Sequence, residues 1–122
     1  MPEDTDEERD ERIINEVIVD AYGPEEQALG WYYYLDRKMQ FPLQARCITE
    51  RTVSPLKEGE EVRVVGLADE QDCMSEMFVR IRWKDREFGV PLIQLEIIEP
   101  DRDTEQAVAD WHYWFGDGGR LC

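Results

Sequence analysis

No run of about eighteen apolar residues occurs in this 122-residue chain, so no segment of it reads as a membrane-spanning helix. Histidine is reduced to His112, and the three cysteines, Cys47, Cys73 and Cys122, lack any C-x-x-C spacing. That poverty argues against a structural zinc, which needs four closely spaced nitrogen or sulfur ligands. An odd, scattered cysteine set also fits a reducing compartment better than a disulfide framework. Phosphate-cradling loops are missing: the GDGG at 116–119 follows a predicted helix rather than opening one. No nucleophile elbow accompanies His112, which sits in the aromatic run DWHYWF, so a non-enzymatic protein is expected.

Positive charge is the other shortage. Lysine and arginine number 14 against 29 aspartates and glutamates, a net charge of −15. An excess of that size repels nucleic-acid backbones and anionic membrane surfaces, and attracts metal cations and basic proteins. The opening MPEDTDEERDER has neither the cationic start nor the apolar core of a signal peptide, so a cytoplasmic location is expected.

What is present is a clear alternation. Met77, Val79, Ile81 and Trp83 interleave with Phe78, Arg80, Arg82 and Lys84, which predicts a half-buried strand. Its cationic side reads as a solvent face balanced by neighbouring acids. Glu61–Leu67 predicts a strand before it, Asp85 a hairpin turn after it, and Glu87–Leu92 a returning strand. Pro91 cannot donate to a central ladder, so that strand ends, or lies on an edge, near Val90. With a further strand over 41–51, these short elements predict an SH3-like antiparallel β-barrel spanning 41–99.

Helices flank the barrel. Ile13, Ile14, Val17, Ile18 and Ala21 recur at helical spacing, and Gly23-Pro24 separates them from a second helix ending before Phe41-Pro42. The segment GWYYYL within it reads as core packing, with a stacking platform as the sharper alternative. A last helix over 102–116, with Thr104 as its cap, carries Ala107, Val108, Trp111, Trp114 and Phe115 on one face. The expected organisation is α+β: an acidic, solvated tail over 1–12, then a single domain over 13–122 with helices at 13–40.

Hard divalent cations take six to eight oxygen ligands, and acids dominate this surface. DRDTE at 101–105 fails as an EF-hand, since Gln106 and His112 stand where the glycine turn and the final bidentate acid belong. Two clusters remain. The connector ADEQDCMSE carries Asp69, Glu70, Asp72 and Glu76, whose mutual repulsion an ion would relieve. The helical hairpin would set Asp20 against Glu26, and Asp36 against Asp10 and Glu11.

Taken together, VDAY at 19–22, GWYYYL at 30–35, FPLQARC at 41–47, SPLKEGEEVRVVG at 54–66, MFVRIRW at 77–83, VPLIQLE at 90–96 and DWHYW at 110–114 form a specific set. Over about residues 13–115 the chain resembles the CcbP-type family of small cyanobacterial calcium-binding proteins. The resemblance implies a cytoplasmic, non-enzymatic binder of Ca2+ without EF-hands, buffering or sequestering calcium and so affecting calcium signalling. Asp20, Asp36 and Asp110 match by position, and Asp69, Glu70, Asp72 and Glu76 match as an acidic connector; Asp36 and the connector acids are the leading ligand candidates, with Asp20 and Glu26 next. Asp110, beside Trp111, is as suited to hydrogen bonding within the fold. The competing expectation is an acidic interaction module that docks a basic protein partner without a specific metal. A monomer is expected in either case.

Overall fold

The computed structural model describes residues 6–19, 21–52, 54–74 and 76–116. In chain order, helix α1 (Asp6–Arg12) runs on into a π-helical turn, Ile13–Val17, and helix α2 covers Pro24–Lys38. Strands β1 (Leu43–Cys47) and β2 (Glu61–Leu67) follow, then a 3-10 turn at Glu70–Cys73. Strands β3 (Phe78–Trp83) and β4 (Arg86–Pro91) form the next hairpin. A second 3-10 turn (Leu92–Gln94) leads to β5 (Leu95–Ile97), and helix α3 (Arg102–Trp111) continues as a π turn through His112–Gly116.

The sheet is antiparallel and five-stranded, in the order β4-β3-β2-β1-β5. Its meander follows the alternation read from the sequence, and β4 lies on an edge, where Pro91 leaves no central ladder without a donor. Lys84 and Asp85 both adopt positive φ, 53° and 67°, as a two-residue hairpin of the right twist requires. The fifth strand, β5, was not anticipated; it pairs back onto β1 through Ala45↔Ile97 and Cys47↔Leu95. Among the described residues β4 and β5 are the two edges, so this pairing is an open sheet and not a closed barrel.

The outward face carries the cations. Arg80 and Arg82 both reach Glu87, at 3.4 and 3.1 Å, and Arg46 lies between Glu61 and Glu96. The inward face buries Ala45, Val62, Val64, Val79, Ile81 and Val90 in one cluster with the apolar sides of the helices. Trp31 anchors that cluster, its ring lying 5.9 Å from Tyr34 and 5.2 Å from Trp111 in edge-on geometry. GWYYYL is therefore mainly core, through Trp31, Tyr34 and Leu35. Gly30 permits a close crossing, because a Cβ there would run into the carbonyl oxygen of Val17.

Two sequence expectations change. Residues 6–12 are not a solvated tail but helix α1, held by side chains that a search for apolar faces overlooks. Arg12 donates to both carboxylate oxygens of Asp110, at 2.7 and 2.9 Å, and Arg9 adds a bond of 3.1 Å. Thr104 does not cap α3, whose N-cap is Asp101. Instead Thr104 is buried; its hydroxyl accepts from the Gln40 N–H at 3.1 Å and donates to the Lys38 carbonyl, tying the end of α2 to α3.

Asp110 is fully buried, and the Tyr34 hydroxyl completes its shell at 2.8 Å. Removing one member of a buried, hydrogen-bonded charge network leaves the others uncompensated. Asp110→Asn should therefore lower the unfolding free energy by about 3 kcal/mol in urea titrations; a loss below about 1 kcal/mol would contradict this assignment. Burial, with Asp110's charge and hydrogen bond adding, raises the Tyr34 phenol above its ordinary value of 10.0. A raised phenol stabilises the fold below the unfolded value, and that stability is lost as pH climbs from about 10 toward the folded value. Tyr34→Phe should flatten the fall in urea midpoint above about pH 10, and equal slopes in both proteins would refute the linkage.

Candidate metal centre

The candidate centre lies where the β2–β3 connector meets α2. The connector folds as a tight 3-10 turn because the Asp72 N–H reaches the Asp69 carbonyl at 2.9 Å. That turn drives Cys73 inward, where its Sγ accepts from the Phe78 N–H at 3.4 Å, and leaves Asp69, Glu70 and Asp72 exposed. Burial pushes the Cys73 thiol up, with the charges of Asp72 and Asp69 adding. A neutral, inward thiol is a packing group here and not a reactive one.

From α2, Tyr33 donates its hydroxyl to Glu70 Oε2 at 2.5 Å. Asp36 stands three residues after Tyr33 and four after Tyr32, hence on the same side of the helix. The phenol of Tyr32 records the resulting field: burial raises it first, and Cys73, Asp36, Glu70 and Asp69 each raise it further. So the charges of Asp36 on one element and of Asp69 and Glu70 on the other act on the same phenol and in the same direction. Tyr33 is likewise raised, first by its hydrogen bond to Glu70. Neither tyrosine was a candidate from sequence; their placement between a helix and a connector is a tertiary fact.

The other candidates are held apart. Glu76 is nearly buried and takes two bonds from Arg51, at 2.7 and 3.1 Å, so it leaves the expected connector cluster. Glu26 accepts from the Tyr22 N–H at 2.6 Å and so braces the turn before α2. It lies ten residues from Asp36, about 15 Å along the helix, too far to share one ion. Asp20 lies outside the described residues. Asp10 accepts from the Tyr113 hydroxyl at 3.0 Å, at the end of α3, and is not the partner of Asp36 that the helical hairpin suggested. Asp110 follows the alternative read for it, bonding within the fold.

Asp36, Asp69, Glu70 and Asp72 carry oxygen donors of the hard kind that calcium takes. They do not form a closed cage: among the described residues, no three His, Cys, Asp or Glu side chains are gathered to hold an ion. The donor chemistry fits a hard dication, and the arrangement is that of an open acidic surface.

The fold and the site define an acidic α+β domain that presents an open carboxylate surface where its second helix meets the β2–β3 connector. A family model for CcbP-type calcium binding matches residues 11–115, and the chain belongs to that family. Among solved structures, the crystal structure of CcbP from Anabaena is 38% identical, with 92% of each chain covered and a TM-score of 0.80. A structure described as a calcium-binding protein in the calcium-binding form is 37% identical, with 93% of each chain covered and a TM-score of 0.81. No curated protein sequence matches the chain.

The distinction between structural and candidate acids is testable through Glu76. Glu76→Gln should lower stability by about 1–2 kcal/mol, by leaving the half-buried Arg51 without its counter-charge, while calcium affinity stays within about twofold. Calorimetry on the variant checks both halves; a tenfold loss of affinity would return Glu76 to the ligand set.

Proposed function

We propose that this chain binds calcium through Asp36, Asp69, Glu70 and Asp72, and acts as a non-enzymatic buffer of free calcium in the cytoplasm. The observation that carries this reading is the hydrogen bond from the Tyr33 hydroxyl to Glu70, which joins α2, the helix of Asp36, to the acidic connector of Asp69 and Asp72. Like charges so placed repel, and a dication between them removes that repulsion. Membership of a calcium-binding family supports the ion, and the net charge of −15 supports its attraction from a distance.

An open site built on exposed side chains belongs at the weaker end of biological calcium affinities, about micromolar to millimolar. That range suits buffering, in which ions are taken up and released with changing concentration. We also assign the sheet to the SH3-like kind: a four-strand meander, a 3-10 turn, and a fifth strand returning to pair with β1 support it.

Isothermal titration with calcium tests the assignment. Asp36→Asn, and separately Asp69→Asn with Asp72→Asn, should each weaken binding at least about tenfold, whereas Glu26→Gln should leave it unchanged. Calcium at a hundredfold excess over its dissociation constant should stabilise the native protein by about 2.7 kcal/mol, raising its Tm by mass action. A Tm indifferent to calcium, or binding that survives all three ligand substitutions, would overturn the site.

A further inference from the structure

We infer that the groove between the start of α2, the connector and the end of α3 docks a cationic, apolar-anchored segment of a partner protein, and that calcium on the connector weakens this docking. The second half rests on the calcium site proposed above. The groove is a cavity of about 220 Å³ lined by Met74, Met77, Trp31, Trp111, Trp114 and Phe115, with Pro24 at its edge. Among the described residues, none that lines it is charged. An apolar cavity of about 150 Å³ takes a benzene ring, so this one accommodates a leucine or aromatic side chain. Met74, Trp114 and Phe115 are only partly buried, and a polarisable methionine adapts to anchors of differing shape.

Charge decides which anchor comes. Glu25 follows Pro24 on one side, and Glu70 and Asp72 precede Met74 on the other, all exposed. The arginines Arg80 and Arg82 are engaged with Glu87, Arg51 with Glu76 and Arg12 with Asp110, all outside the groove lining. An apolar slot with an acidic rim, on a chain of net charge −15, favours a segment that flanks its anchor with lysine or arginine, and rejects an acidic one.

The connector serves both sites. Asp69, Glu70 and Asp72 stand two to five residues before Met74, so an ion held by them adds two positive charges at the rim of the groove. Attraction for a cationic segment then falls, and by linkage the segment weakens calcium by the same factor.

Fluorescence anisotropy with labelled synthetic helices tests this. The probes are an amphipathic Leu/Lys peptide and a Gln/Lys peptide of equal charge, each with chelator and with millimolar calcium. Without calcium, the Leu/Lys peptide should bind at least about tenfold tighter than its Gln/Lys counterpart, and calcium should weaken it about fivefold. Met74→Gln should remove most of the preference for leucine. Glu25→Lys, on an exposed position that leaves the core untouched, should weaken Leu/Lys binding. Equal affinity for the two peptides would reduce the effect to surface charge and overturn the groove. A dimer seen by sedimentation and abolished by Met74→Gln would give the groove to a second copy, overturning the partner assignment. Calorimetry on the same samples separates the two halves. Calcium bound without effect on the peptide overturns the linkage alone, and absence of calcium binding overturns the calcium site while the leucine preference stands.

Discussion

The buried carboxylate of Asp110 is the constraint on which the arrangement of helices depends. It sits on α3 and draws Arg9 and Arg12 from α1 and the Tyr34 hydroxyl from α2 to one point. A charge removed from water is tolerated only when its hydrogen-bonding capacity is filled, which makes this contact intolerant of rearrangement. With Tyr34 fixed on the inward side of α2, Tyr32 and Tyr33 turn to other sides of the helix. Tyr33 meets the connector there. A core interaction thus determines which carboxylates share a surface.

The acids divide accordingly. Glu76, Glu87, Glu61, Glu96 and Asp110 are paired with arginines, and Glu26 braces a turn. Asp36, Asp69 and Asp72 have no cationic partner among the described residues, and Glu70 has the Tyr33 hydroxyl. Net charge by itself would place cation affinity anywhere on this surface. Pairing takes several acids out of the candidate set, and the Tyr33–Glu70 bond ties the connector acids to α2.

Much of this was legible in the sequence, and for identifiable reasons. Strand alternation over Met77–Lys84, the edge position forced by Pro91 and the turn at Asp85 are local signals with local causes. So are the break at Gly23-Pro24 and the helical face of Trp111. What escaped notice depends on contacts far apart in the chain. Helix α1 has no apolar stripe, and the bonds that hold it join residues 98 to 101 positions apart. The strand β5 is only three residues long and exists by pairing with β1. Glu76 looked equivalent to Asp69, Glu70 and Asp72 because nothing local marks Arg51 as its partner 25 positions away. Tyr32 and Tyr33 read as bulk aromatics; only the fold brings the Tyr33 hydroxyl to Glu70.

Backbone amide chemical shifts followed during a calcium titration test the central claim most directly, because they report where an ion sits without altering any residue. The account predicts that saturable shifts concentrate at Asp69–Cys73 and at Tyr32–Asp36, the two segments that the Tyr33–Glu70 hydrogen bond joins. Shifts centred instead on α1 or on the Asp101–Glu105 segment, or spread evenly over the acidic surface without saturation, would contradict it.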